Sequence, residues 1–505
     1  MPEPRHNSLP RWPAAAVAIL CFGSAVFAVV ADEVASEAAV SLYRVTCLLF
    51  LVGAILAAAY VGLSAPRRDG LWAVFCLVSG LTFSAGGLLA IGTEGSAERL
   101  RGEVDLATTA LLLAASGLYV SRVAYRAVVG RTLENRRRSS PFGFLDRVRW
   151  QAVVAVFSVV WLLRRQAALE GAVWGWSHDA VANTSAVGST LIQFGDNLRP
   201  LAVLLAATLC LSRFRSARVA GFVLLGAEFG YATLLGRRWL LELLILGSLL
   251  ALQLRSWMRL RRSILWLGLA GAFMVLIAWP FVFHFRAVAR TAGLESAPRE
   301  TRVGLLVTSV LPQAIRTFHP WTAAADRDYA DNMRLRSTAT DFLIGIERAH
   351  RRGVSFQDGA VFETGVLLSV PRFLWPNKGR LASRFVYELD DVVEEHFHLP
   401  AEDAATTLTA QGYADDGILG VALYFMALGG ILALFTRCLY SARSTIIGFL
   451  LYGMGISLAF QVEMSVTAVL AAVRIGVGLV LVDRLCGRRI QQWTVASREN
   501  LRPRA

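Results

Sequence analysis

The chain has 505 residues, 55% of them hydrophobic and only 17% charged, with a mean hydropathy of +0.51. Soluble proteins average roughly 25% charged residues, so a soluble enzyme, a secreted disulfide scaffold and a disordered protein are all excluded. A formal net charge of +14 and a pI near 10.1 would suit a nucleic-acid partner, so where the charge sits decides its meaning.

Apolar windows of about 19 residues mark membrane helices. In chain order they fall near 13–31, 39–63, 71–91, 105–125, 150–169, 198–212, 217–235, 239–254, 264–285, 414–436, 444–461 and 464–482. The pattern predicts an all-α polytopic membrane protein of about 12 transmembrane helices. Arg5 and Arg11 before the first apolar run mimic a signal peptide, but the run is long for one and more spans follow, so it reads as an uncleaved helix. Around 170–197, Trp174, Trp176 and the polar run Asn183 to Ser185 read as interfacial or re-entrant. The expected divisions are an N-terminal bundle over 1–285, an extracytoplasmic segment over 286–413, a C-terminal group of spans over 414–485 and a basic tail over 486–505.

Twelve spans put both termini in the cytoplasm, and the arginines agree. Arg67, Arg68, Arg131, Arg136, Arg147, Arg149, Arg213, Arg215, Arg255, Arg259, Arg437, Arg443, Arg488 and Arg489 fall in loops read as cytoplasmic. Asp32, Glu33, Glu37, Glu94, Glu98 and Glu103 fall in outer turns. The segment from Phe285 to Tyr413 holds 15 basic and 16 acidic residues, so the surplus positive charge belongs to the cytoplasmic face and nucleic acid is not an expected partner. Fifty of the 51 basic residues are arginine and Lys378 is the only lysine, a bias that high-GC codon usage explains.

Arg237 and Arg238 break the orientation pattern at an outward turn. Paired guanidiniums there suit bidentate capture of a diphosphate, or snorkelling to lipid headgroups. Arg164 and Arg165 lie inside the fifth span, where Asp196 or Glu170 would pair with them. Asp196 and Arg199, in the polar turn before the sixth span, are expected to line the same cavity as Arg237 and Arg238. Thr340 to His350 places Phe342, Leu343 and Ile346 on one helix face, which would lie on the bilayer or cap the bundle.

Val370-Pro-Arg-Phe-Leu-Trp-Pro-Asn-Lys378 combines two prolines with two cations. The prolines exclude a regular helix, so the turn either aims Arg372 and Lys378 at an anion with Trp375 stacked on a sugar, or is an interfacial aromatic anchor. Gln411-Gly-Tyr-Ala-Asp-Asp-Gly-Ile-Leu-Gly420 opens the tenth span. Asp415 and Asp416 either supply a general base or favour a helix N-terminus. The six cysteines fall in apolar spans or beside them, and His396 and His398 are two apart, which no single helix face shares. No GxxxxGK, GxGxxG, HExxH or GxSxG occurs.

The layout and these two stretches resemble the O-antigen polymerase (Wzy) family of membrane glycan polymerases. Pro371 to Lys378 looks like the family's PRxxWPxK turn, and Thr407 to Gly420 is similar to the stretch leading into the next helix. Family members often carry an acid or amide followed by an aromatic before the glycine, whereas Asp415 and Asp416 stand together here.

The resemblance implies a GT-C-like fold in the bacterial plasma membrane and no cofactor or metal. It implies an undecaprenyl-diphosphate-linked glycan as donor, a second lipid-linked repeat unit as acceptor, and a membrane protein that regulates chain length as a partner. Arg237, Arg238, Arg372 and Lys378 would hold the diphosphate, with Trp375, Asp196, Arg199, Gly412 and Tyr413 contacting substrate. Asp416 would be the base, with Glu363 and then Asp415 as the other candidates. The rivals are an O-antigen ligase, a polyprenyl-monophosphate-sugar transferase and, from another class, a lipid-linked glycan flippase.

Overall fold

The computed structural model describes residues 36–64, 66–90, 104–130, 150–169, 202–203, 205–207, 209–210, 212, 214–234, 277, 279–294, 301, 304–319, 340–370, 374–375, 389–399, 407–460 and 465–494. These are predominantly helical, compatible with an all-α membrane protein. The helices are α1 (Ser36–Ser64), α2 (Pro66–Ala90), α3 (Val104–Val129), α4 (Trp150–Leu169), α5 (Arg215–Leu234) and α6 (Trp279–Thr291). A π-helical turn, Leu306–Val310, leads into α7 (Leu311–Thr317). Then follow α8 (Asp341–Arg351), α9 (Ala360–Ser369), α10 (Leu389–Phe397), α11 (Leu408–Ser441), α12 (Thr445–Phe460) and α13 (Val466–Thr494). Among the described residues, the stretches Asp105–Val129, Leu408–Ser441 and Val466–Gln492 are long and apolar enough to cross a membrane.

The largest departures from the expected helix bounds are at α6, α11 and α13. Helix α6 continues through Phe285, which is fully buried, to Thr291. Helix α11 begins at Leu408, where the Thr407 hydroxyl accepts the Ala410 N–H at 3.2 Å and caps it. Helix α13 runs on to Thr494, into the stretch expected as a tail. At α11 the Thr407 cap and the buried polar side chains of Thr409 and Gln411 carry the helix beyond its apolar stretch.

Helices α3 and α11 form the central pair, α1 packs along α2, and α12 sits between α2, α11 and α13. Hydrocarbon solvates an apolar side chain as well as a protein interior does, so association here rests on close packing and polar contacts. Phe75 and Phe425 pack at 6.0 Å, and the Tyr125 hydroxyl bridges the Arg68 carbonyl at 2.6 Å and the Thr436 hydroxyl at 2.8 Å. Leu56, Phe222, Val223 and Ile418 stay exposed, as a lipid-facing surface requires.

The bundle has two chemically distinct ends. At one, Asp69 pairs with Arg68 at 3.1 Å and Arg122 at 2.9 Å, and Asp483 accepts the N–H groups of Arg443 and Ser444, both at 2.7 Å, before α12. The starts of α3, α11 and α13 meet at the other end, where α8 and α9 cover them. The amphipathic 340–350 segment thus caps the bundle: Phe342, Leu343, Ile344 and Ile346 are buried against it.

Candidate functional site

The site is built around a break in α11. Asp416 (φ −150°, ψ 28°) and Gly417 (φ 58°, ψ −136°) leave helical geometry, so the chain turns between two helical pieces. Only glycine adopts such a conformation without strain, and a Cβ at 417 would lie 2.9 Å from the Phe356 ring. Across the turn the backbones of Gly412 and Gly420 touch, and a Cβ on Gly420 would overlap the Gly412 carbonyl. The glycine spacing of this motif therefore serves a sharp, close-packed turn between the two helical pieces. Gln411 anchors the first piece by accepting the Val466 N–H at 2.8 Å, with Gln411 wholly buried.

Asp415 lies against the N-terminus of α9. Its Oδ1 accepts the Val361 N–H at 2.9 Å, and its Oδ2 accepts the Phe362 N–H at 3.0 Å and the Tyr424 hydroxyl at 2.6 Å. Backbone bonds from Gln357 to the Ala414 carbonyl (3.0 Å) and from Asp358 to the Asp415 carbonyl (2.9 Å) zip the preceding loop to the break. Asp415, the third candidate for a base, is thus 2% exposed with both oxygens engaged as acceptors. A carboxylate does favour a helix N-terminus here, but the helix is α9 and not its own.

Asp416 is exposed beside this anchor, and so is Glu363, which follows Phe362 on α9. The fixed contact of Asp415 thus carries one exposed carboxylate on each of its two strands of chain. Either has the freedom that proton transfer needs, within a frame held by at least five hydrogen bonds.

Gly412 and Tyr413, expected to contact substrate, sit in the packed frame beside the break. Gly412 is buried, and Tyr413, at 8% exposure, meets Phe356 edge-on at 5.5 Å. Phe356 in turn stacks on His350 at 3.9 Å. Beneath it, Arg351 bridges Asp105 and Glu347, tying α8 to α3. Burial pushes the Glu347 carboxyl above the usual range, and the Arg351 guanidinium only partly offsets this.

Trp375 is half-buried in the turn after α9. Arg237, Arg238, Arg372, Lys378, Asp196 and Arg199 lie outside the described residues. The Arg164 and Arg165 side chains likewise lie outside what is described, although the backbone of α4 includes them.

Two further ionisable groups occupy apolar helices. Arg474 of α13 donates to the Ser369 carbonyl at the end of α9, two residues before Pro371. Glu228 of α5 is fully buried and accepts the Trp161 indole N–H at 3.3 Å. Neither belongs to a recognisable motif; their signal in the sequence is a charge inside an apolar run. His396, near the acidic stretch, has its Nε2 2.8 Å from the Ser355 carbonyl.

No protein family, curated protein or solved structure matches the chain.

Proposed function

We propose that the protein is an inverting GT-C-type glycan polymerase that joins undecaprenyl-diphosphate-linked repeat units on the outer face of a bacterial plasma membrane. Twelve spans with both termini cytoplasmic belong to the same reading. The observation that carries it is the exposed Asp416 at the α11 break, held beside α9 by the anchored Asp415. In the sequence, α9 is followed within three residues by Arg372, and then by Trp375 and Lys378.

The reaction needs a base and a charge clamp. The acceptor hydroxyl attacks the donor's anomeric carbon from the face opposite the lipid diphosphate, forming the new glycosidic bond as the bond to the diphosphate breaks. The hydroxyl proton passes to the Asp416 carboxylate, and the departing electron pair stays on the diphosphate. A positioned base contributes about 10²–10⁴-fold. Arg237, Arg238, Arg372 and Lys378 receive the developing charge, and preorganised donors of this kind are each worth a few kcal/mol. The leaving group is already activated, so no nucleotide is consumed.

The test is Asp416→Asn in cells lacking the native gene, with membrane expression verified and surface polysaccharide resolved by gel. The expected result is lipid A core carrying single repeats, with polymer reduced at least about 100-fold. A full-length ladder removes Asp416 from the mechanism. Cells lacking the gene that show no repeat attached at all would instead identify a ligase.

A further inference from the structure

We infer that the basic end of the bundle, opposite the α11 break, binds the phosphate of an anionic phospholipid headgroup through Arg68, Arg122 and Arg126. Three guanidiniums face one carboxylate there. Asp69, at 2% exposure, takes the Arg68 Nε at 3.2 Å and Nη2 at 3.1 Å, and the Arg122 Nη2 at 2.9 Å. Arg126 follows Arg122 by one helical turn on α3 and is exposed, so both lie on the same side of the helix.

Arg122 cannot swing away to find other partners. Its guanidinium lies over the Trp72 ring at 4.7 Å and near the Tyr125 ring at 5.8 Å. Trp72 is itself pinned by its indole N–H on the Ser121 hydroxyl at 3.0 Å. Yet the Arg122 Nη1 is buried with no hydrogen-bond partner among the described residues. A buried cationic donor left unpaired is unfavourable, and an anionic oxygen is the group that satisfies it.

Position selects the ligand. Helices α2 and α3, of 25 and 26 residues, each run ~38 Å at 1.5 Å per residue, so their ends fall at headgroup depth in a bilayer ~40 Å thick overall. Arg68, partly exposed, and Arg126 open the cluster to that surface. The two free oxygens of a phosphodiester match a forked guanidinium. Among the described residues three guanidiniums stand against the one carboxylate of Asp69, and this favours phosphatidylglycerol over a zwitterionic lipid, whose choline would be repelled.

The test uses the full chain, delipidated in detergent, with thermal midpoints followed while dioleoyl phosphatidylglycerol, dioleoyl phosphatidylcholine or inorganic phosphate is added. Phosphatidylglycerol should raise the midpoint at concentrations about tenfold below phosphatidylcholine, the two guanidiniums in excess of the Asp69 carboxylate each contributing about fivefold or less. Arg126→Gln, which leaves the Asp69 contacts intact, should keep the lipid-free midpoint and require about fivefold more phosphatidylglycerol. Arg122→Lys, which preserves the charge but lacks the fork, should weaken the response similarly. Equal responses to the two lipids, or an unchanged response in Arg126→Gln, overturn the inference. Equal protection by inorganic phosphate overturns the assignment to a lipid.

Discussion

Replacing Asp415 separates scaffold from chemistry at the α11 break. The carboxylate accepts two N–H groups at the start of α9 and the Tyr424 hydroxyl. Loss of an N-terminal capping side chain costs about 0.5–2 kcal/mol, and a hydrogen bond to a charged group contributes about 1.5–3 kcal/mol. Val361 is fully buried, so its amide has no water to turn to. Without assuming additivity, Asp415→Ala should lose about 3–5 kcal/mol. Asp415→Asn retains one acceptor and should lose about 2 kcal/mol, and Tyr424→Phe about 1 kcal/mol. Thermal unfolding in detergent gives the order, and hydrogen exchange localises it, because the amides of 361 and 362 should exchange faster in both Asp415 variants than anywhere in α12. An Asp415→Ala protein with native stability and native exchange, but no polymerase activity, would refute the structural role and return this residue to the chemistry.

Gly417→Ala should destabilise the chain by about 2–4 kcal/mol, from a φ of 58° that alanine resists and from overlap with Phe356; a native thermal midpoint would show that the break relaxes without a glycine. Gln411→Ala strips the Val466 amide of its acceptor and should cost about 1–3 kcal/mol, read from the denaturant midpoint in mixed micelles. Glu347 has a folded-state pKa above its unfolded value because of burial. Its contribution to stability is therefore fully present below the unfolded value and is lost as pH rises through the folded one. Glu347→Gln should flatten that decline above the ordinary carboxylate range, from about pH 4 upward, while Arg351 keeps Asp105. A steeper decline in the variant contradicts the burial argument.

The apolar stretches located most helices because a run of twenty apolar residues has few other destinations. Trp150–Leu169 matches its expected bounds, and Asp341–Arg351 follows from the spacing of Phe342, Leu343 and Ile346. The start of α11 escaped because Thr407, Thr409 and Gln411 are polar, and their burial depends on partners such as Val466, 55 residues from Gln411. The Gly-Tyr-Ala-Asp-Asp-Gly stretch was recognisable as unusual, but the division of labour within it was not. Nothing local distinguishes Asp415 from Asp416; the distinction comes from Val361, Phe362 and Tyr424. Asp69 and Arg122 were hidden for the same reason, lying 53 residues apart on separate helices.

The capping of α9 has a consequence for biogenesis. Translation delivers Val361 and Phe362 before Asp415, which follows 54 and 53 positions later. Helix α12 waits in the same way, since Asp483 comes 39 positions after Ser444. Two helix starts thus leave the ribosome unfinished and are completed only when a later hydrophobic stretch reaches the bilayer. A nascent chain halted before residue 415 would hold the start of α9 without the carboxylate that caps its amides in the finished protein.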